Sequence, residues 1–198
     1  MNNTRYFPSS ALLGRLGALA GLLSAVVLLL NAAKRGGIVE ASPLVQLAAP
    51  VAQLAAILLF AAIAARAGLA GWRLIPGLAA IIAMAALVGV EFILNFVFPY
   101  VSPETTAALR HGPLGIALTV ASIAFLLTSL ALVAAWWGVV PRWAVLLYAI
   151  GTLPVGLRAF VPEAALLAGL IAMAVGALGL AVGLVKTPTP REAIAHSA

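Results

Sequence analysis

Long apolar runs alternate with short polar or Pro/Gly-rich segments along the whole chain. Each run is continuously hydrophobic and rich in Ala and Leu, and most are close to the roughly 20 residues that a helix needs to cross a bilayer. The pattern predicts an all-α integral membrane bundle of six transmembrane helices. The predicted spans are 11–33, 43–65, 76–99, 114–138, 141–158 and 163–185. We expect one transmembrane domain over 1–198, with a mobile tail at 186–198.

Helix-start residues agree with several of these boundaries. Ser42 followed by Pro43 predicts an N-cap with proline in the first turn. Four further prolines open the later spans: Pro76, Pro113, Pro141 and Pro162. Between the third and fourth spans, the segment 102–112 begins with Ser-Pro-Glu and ends with Gly, which predicts a two-turn helix at the interface. We expect this helix to be a connector, with a lid as the alternative.

Composition places the chain in the same class. Of its 198 residues, 65% are hydrophobic and 8% are charged, and its mean hydropathy is +1.19. A soluble domain usually has about 25% charged residues. The net charge of +6 fits cytoplasmic loops rich in Lys and Arg and contact with anionic headgroups. No basic stripe interleaved with aromatic residues is present, so nucleic acid is not an expected partner.

Lys and Arg near the ends of the spans predict the orientation. Seven fall on the side of both termini: Arg5, Arg15, Arg66, Arg73, Arg142, Lys186 and Arg191. Four fall on the other side: Lys34, Arg35, Arg110 and Arg158. Both termini are therefore predicted to be cytoplasmic. The tryptophans are predicted to anchor that same interface: Trp72, Trp136, Trp137 and Trp143.

The sequence contains few residues that could ligate a metal ion or a haem. The chain has no cysteine, His111 lies in a loop and His196 in the tail. These positions exclude bis-histidine haem ligation within the bundle, and no metal motif or carboxylate cluster occurs. We expect no cofactor and no metal.

Small residues mark one face of the first span and one face of the last, each with a G-x-x-x-G step. They are Gly14, Gly17, Gly21 and Ser24 in the first span, and Gly169, Gly176, Gly179 and Gly183 in the last. Small residues allow membrane helices to approach closely. We expect these stripes to pack inside one bundle, with homodimerisation as the alternative.

Glu91 is the only acidic residue inside an apolar run, and Asn95 follows one helical turn later. A carboxylate in hydrocarbon is costly and suggests a functional site with a partner. At about 1.5 Å per residue, Glu91 lies roughly 22 Å from Pro76 and Arg158 roughly 25 Å from Pro141. Both charges would reach similar depth in the outer half, where a pair costs much less than two single charges. Other polar side chains reach the same level: Asn31, Gln46, Gln53, Thr119 and Ser122.

Four segments together resemble uncharacterised small six-helix membrane proteins of high-GC bacteria. They are PLVQLAAPVAQL (43–54), VGVEF (88–92), HGPLG (111–115) and VVPRWAVLL (139–147). The resemblance implies six helices and places Glu91 and Gln46 in segments typical of the group, but it implies no activity.

Three hypotheses follow for the polar layer. It is a structural ion pair with amides between helices, the floor of a pocket for an amphiphile, or a site of proton-coupled transport or catalysis with Glu91 as the acid. Enzymatic activity stays undecided, because a single carboxylate lacks a second acid or base. We expect a bacterial inner-membrane protein that binds a lipid-like molecule or supports a membrane complex, with a small transporter as the alternative and a cyclase-like enzyme third. The candidate ligand-binding residues are Glu91, Asn95, Arg158, Gln46, Gln53 and Asn31.

Overall fold

A computed structural model describes residues 10–158 and 160–186. Within these residues no strand is present, and the predicted all-α class is confirmed. The α-helices of this part of the chain are α1 Ser10–Arg35, α2 Pro43–Gln46, α3 Ala48–Arg66, α4 Leu74–Phe96, α5 Pro103–His111, α6 Pro113–Trp136, α7 Arg142–Gly156 and α8 Glu163–Lys186. Apart from Lys186, which ends α8, the predicted tail at 186–198 lies outside the described residues.

Local sequence explains where these helices begin. The hydroxyl of Ser42 accepts a hydrogen bond from the backbone nitrogen of Val45 at 3.3 Å, which confirms the predicted N-cap. The second predicted span corresponds to α2 and α3, which together form one helical segment of membrane length that is interrupted by a turn at Leu47. Pro113 opens α6 as predicted, whereas Pro76 lies inside the first turn of α4.

Five helical segments of the described chain are long and apolar enough to cross a membrane. They are Ala11–Arg35, Pro43–Arg66, Gly71–Tyr100, Pro113–Trp136 and Glu163–Lys186. The remaining predicted span corresponds to α7, which has 15 residues. Pro154 lies in its last turn, where it lacks the N–H that would bond the carbonyl four residues earlier. The described residues thus contain five helical segments of membrane length, and the helix at the predicted fifth span is shorter.

The helices form a closed ring. Its order is α1, α3, α4, α6, α7 and α8, with α8 packing back on α1, while α5 lies on α6. Consecutive long helices run in opposite directions, as expected for short connections. The C-terminus of α1 and the N-terminus of α8 therefore lie at one end of the ring, which we call the polar end after the side chains described below.

The glycine face of α1 is buried against two helices of the same chain. A Cβ atom on Gly17 would overlap Ala62 in α3, and one on Gly21 would lie 2.7 Å from the side chain of Ala181 in α8. The hydroxyl of Ser24 donates a hydrogen bond to the carbonyl of Ala52 at 2.9 Å. This face packs inside the bundle.

The glycine face of α8 is covered by α7. A Cβ atom on Gly179 would overlap the ring of Trp143, and one on Gly183 would lie 2.5 Å from the ring of Pro141. Both stripes therefore serve the packing that we predicted for them, and neither face is free for a second copy of the chain.

Aromatic side chains fill the centre of the ring away from the polar end. The ring of Phe60 lies 5.1 Å from that of Trp136 and 5.2 Å from that of Tyr148, whose hydroxyl contacts the sulfur of Met84. We call the part of the ring that surrounds these four residues the aromatic half. The prediction that every tryptophan anchors an interface is wrong for Trp136, which is fully buried. The other three are exposed: Trp72, Trp137 and Trp143.

Candidate functional site

The predicted partner of Glu91 is confirmed. A nitrogen of the Arg158 guanidinium donates to a carboxylate oxygen of Glu91 at 2.8 Å. The Glu91 side chain is 7% exposed and that of Arg158 is 17% exposed, so the pair is largely shielded from solvent. Glu91 lies in α4, whereas Arg158 lies just beyond the end of α7. The ion pair therefore joins two elements at the polar end.

Asn95 extends this pair to α1. Its amide nitrogen donates to the second carboxylate oxygen of Glu91 at 3.2 Å and to the Glu91 backbone carbonyl at 2.8 Å. Its amide oxygen accepts a hydrogen bond from the Lys34 ammonium group at 2.8 Å. Lys34, Asn95, Glu91 and Arg158 thus form one continuous network that joins α1, α4 and the segment after α7.

A second ion pair lies at the same end. The guanidinium of Arg35 is 3.2 Å from the carboxylate of Glu163, which joins the end of α1 to the start of α8. Both side chains are partly exposed, and such pairs usually contribute at most about 1 kcal/mol to stability. The main consequence of this pair is positional, because it orients Arg35.

A cavity of about 510 Å³ opens beside Arg158. Its walls come from α6, the end of α7, the start of α8 and the C-terminal part of α4. The lining residues are Arg35, Leu94, Phe98, Arg110, Gly115, Leu118, Thr119, Ser122, Ile123, Gly156, Leu157, Arg158, Phe160, Glu163 and Leu166. Most of the lining is apolar, and the charged groups lie at the polar end. Thr119, Ile123 and Phe160 are exposed, so the cavity opens at the surface.

The short α7 accounts for this cavity. Its 15 residues extend about 22 Å, whereas the 24 residues of each neighbour in the ring, α6 and α8, extend about 36 Å. All three helices are packed together in the aromatic half, so α6 and α8 continue past the end of α7 at Gly156. The cavity lies between them, where no fifth turn of α7 fills the space.

The sequence identified part of this lining. Arg158, Thr119 and Ser122, all predicted to reach the same depth, line the cavity together. Glu91 and Asn95 do not line it and instead hold Arg158 and Lys34 from behind.

The remaining candidate residues lie elsewhere at the polar end. Gln46 accepts a hydrogen bond from the Tyr100 hydroxyl at 3.3 Å. Asn31 and Gln53 are buried in α1 and α3, and the amide oxygen of Asn31 has no hydrogen-bond partner in the part of the chain that the structure describes. The structure therefore does not bring these three residues to the cavity.

Arg110 was not among the sequence candidates. It lies in the last turn of α5, with its guanidinium 5.1 Å from the centre of the Phe98 ring. The predicted two-turn helix is confirmed as α5, capped by Ser102. Sequence spacing could place Arg110 on this helix, but the direction in which a short surface helix packs depends on tertiary contacts. The sequence showed only that Arg110 is a basic residue in the capped segment 102–112.

The described residues contain no group of three or more His, Asp or Glu side chains that could hold a metal ion. His111 is exposed at the end of α5, and His196 lies outside the described residues. Comparison of the chain with known protein families, curated proteins and solved structures finds no match. The resemblance to small bacterial membrane proteins rests on the sequence segments alone.

Proposed function

We propose that this protein is a multi-pass protein of the bacterial inner membrane that binds a lipid-like amphiphile in the cavity beside Arg158. In this proposal both termini are cytoplasmic and the polar end faces outward. The single observation that carries the proposal is the composition of the cavity lining, which combines a majority of apolar residues with four charged side chains, Arg35, Arg110, Arg158 and Glu163. An amphiphile has the same combination of an apolar chain and a polar head.

The proposed six-span topology includes α7. This helix lies between α6 and α8 in the ring, so it would have to cross most of the membrane with them. Its length of about 22 Å is below the hydrocarbon thickness of about 30 Å. The apolar residues that flank it, including Val139, Val140 and Leu157, extend the hydrophobic segment. The remaining depth is the cavity itself, which a lipid chain would fill.

The cavity is suited to such a ligand in size. Ligand sites usually measure about 300 to 1,000 Å³ and combine apolar walls with a few polar groups. The observed volume of about 510 Å³ is within that range. Because the exposed residues Ile123 and Phe160 border the opening, a chain in the surrounding bilayer could enter from the side.

Glu91 has a supporting role in this proposal. One of its carboxylate oxygens accepts from Arg158 and the other accepts from Asn95, so both oxygens already have hydrogen-bond donors. A general acid would need a protonated carboxyl group and a second acid or base nearby. We therefore assign the binding surface to Arg158 and its neighbours on the cavity wall.

Two substitutions on adjacent residues of α6 test the proposal. Thr119 lines the cavity, whereas the exposed Val120 does not, so Thr119→Trp would fill the cavity and Val120→Trp would not. Native mass spectrometry of protein purified in mild detergent should show a retained lipid-like mass with the wild type and with Val120→Trp. Thr119→Trp should lose most of it.

A wild-type protein that carries no such mass, even after reconstitution with cell-extract lipids, would refute the proposal. Equal retention by both tryptophan variants would show that any bound lipid lies elsewhere on the protein. Thermal unfolding of the three proteins checks that each variant is folded.

A further inference from the structure

The side chains around the cavity carry more positive than negative charge. Four cations and two carboxylates belong to this cluster, while Glu40 and Glu104, which also lie at the polar end, are exposed and make no ion pair with it. The cations are Lys34, Arg35, Arg110 and Arg158, and the carboxylates are Glu91 and Glu163. Arg35 and Arg158 each have a carboxylate, whereas Lys34 reaches Glu91 only through Asn95. About two positive charges are therefore not compensated by this cluster.

Arg110 is the most available of these cations. It is exposed and lines the cavity, and no carboxylate of the described chain lies within ion-pair distance. Its contact with Phe98 orients the guanidinium through the ring face without consuming its hydrogen-bond donors. Phe98 lies two residues beyond the end of α4 and is itself buried.

The remaining arginines that line the cavity are already oriented. Glu91 holds Arg158 and Glu163 holds Arg35, each through one guanidinium nitrogen. An arginine has five N–H donors, so each keeps several for a ligand. Three guanidinium groups thus border one cavity, and two of them are positioned by carboxylates behind or beside them.

From this geometry we infer that the group bound at the polar end is an anionic phosphate, with Arg110 as its main recognition residue. The inference rests on the proposed function and names the head group of the proposed amphiphile. Phosphate oxygens accept several hydrogen bonds, and the arginine fork matches them in geometry. The excess positive charge would be compensated by the ligand. A zwitterionic head would instead bring an ammonium group near three arginines, which is unfavourable.

The apolar part of the ligand has a path from this phosphate. Leu118 and Ile123 on α6 face the cavity together with Leu157 and Leu166 from the α7 and α8 side. These residues line the same cavity as the three arginines. A phospholipid could therefore place its phosphate at Arg110 and one acyl chain along this wall.

The test uses full-length protein in nanodiscs that contain equal amounts of phosphatidylglycerol, which is anionic, and phosphatidylcholine, which is zwitterionic. After transfer to detergent, native mass spectrometry should find phosphatidylglycerol retained over phosphatidylcholine by about tenfold, the ratio that corresponds to 1.4 kcal/mol. Arg110→Gln should bring that ratio close to one, and Arg110→Lys should keep part of it.

Arg142→Gln is the matched control. Arg142 also lies over an aromatic ring, with its guanidinium 5.2 Å from the centre of the Trp137 ring, but it is not among the cavity-lining residues. This variant loses the same charge and the same kind of contact, and it should keep the wild-type lipid ratio. A second arm measures thermal stabilisation by inorganic phosphate alone.

The outcomes separate this inference from the proposed function. If both lipids are retained equally by the wild type, the anionic inference is wrong and lipid binding stands. If the preference exists but Arg110→Gln matches Arg142→Gln, the role of Arg110 is refuted. If no lipid is retained but phosphate stabilises the wild type and not Arg110→Gln, the anion site is supported and the lipid function is refuted. If neither lipid nor phosphate binds, both are refuted.

Discussion

The polar end and the aromatic half hold the same helices together by different means. In the aromatic half, α7 and α8 approach so closely that a Cβ atom on Gly176 would lie 2.5 Å from the backbone nitrogen of Tyr148. At the polar end α7 has already ended, and the neighbouring elements are joined by the Lys34–Asn95–Glu91–Arg158 network and the Arg35–Glu163 pair. Shape complementarity holds the helices in one region, and charged hydrogen bonds hold them in the other.

The difference suggests a division of roles within one ring. Close packing in the aromatic half brings the backbones of α7 and α8 into contact. Side-chain bridges at the polar end allow helices to stay connected around an opening. A cavity can therefore exist at the polar end without loss of the ring.

The largest expected effect comes from breaking the polar network. Glu91→Gln removes the charge that faces Arg158 and leaves a mostly buried guanidinium without its carboxylate. Breaking a buried pair usually costs about 3 to 5 kcal/mol, and because Arg158 keeps some exposure we expect about 3 kcal/mol. The measurement is the free energy of unfolding in mixed detergent and SDS micelles.

Glu40→Gln is the control for this experiment. Glu40 is exposed between α1 and α2, so its substitution changes the net charge equally without removing a buried partner. If Glu91→Gln unfolds like Glu40→Gln, the network does not stabilise the polar end and the contrast with the aromatic half fails.

The next largest expected effect comes from disturbing the helix packing in the aromatic half. Gly176→Ala would force α7 and α8 apart at Tyr148, because the new Cβ meets backbone atoms that cannot rotate away. Overpacking of this kind costs about 1 to 3 kcal/mol, and we expect about 2 kcal/mol. The same unfolding measurement applies.

Gly89→Ala provides the matched comparison. Gly89 is also inside a long helix, α4, but a Cβ atom there would meet nothing within 4 Å. Alanine favours a helix over glycine by up to about 1 kcal/mol, so this variant should be neutral or slightly more stable. If Gly89→Ala and Gly176→Ala lowered the free energy of unfolding equally, the close approach of α7 and α8 would not be the reason that glycine is needed at position 176.

The smallest effect concerns α5, which carries Arg110 at the cavity. Hydrogen bonds from its own backbone N–H and then from the Ser102 hydroxyl hold the pKa of Glu104 below its usual range. A folded-state pKa that is lowered stabilises the fold above the unfolded pKa, and this contribution is lost as pH falls through the folded value. The effect is small because the carboxylate is fully exposed.

Ser102→Ala should move the pKa of Glu104 up toward its ordinary value, as followed by NMR titration of isotope-labelled glutamate. Thr106→Ala on the same helix should leave the pKa of Glu104 unchanged. An unchanged pKa in Ser102→Ala would show that the hydroxyl does not contact the carboxylate in solution.

Much of the polar network could be predicted because depth in a membrane helix follows from residue count. Counting along two helices was enough to pair Glu91 with Arg158, and Thr119 and Ser122 were placed at the right level for the cavity. The roles of Asn31, Gln46 and Gln53 were not resolved in this way, because equal depth does not imply the same side of a ring. Only the rotation and order of helices decide which side chains meet.

The contact partners of Lys34 and Arg110 could not be predicted from the sequence either. Both were assigned to membrane edges by their positions at the ends of apolar runs. Their partners, Asn95 and Phe98, belong to other parts of the chain and become neighbours only when α1, α4 and α5 pack. Long flexible side chains at helix ends reach several neighbours, so no sequence spacing selects among them.

The sequence by itself determined the helical membrane class, most helix boundaries, the glycine faces and the shared depth of Glu91 and Arg158. These properties depend on hydrophobicity, local capping chemistry and the rise per residue, all of which act within one segment. The tertiary structure decided the ring order, the break at Leu47, the burial of Trp136 and the cavity with Arg110 at its edge. Those features depend on contacts between distant segments. The cavity also depends on the difference in length between α7 and its neighbours, which leaves a space only when the three helices lie side by side.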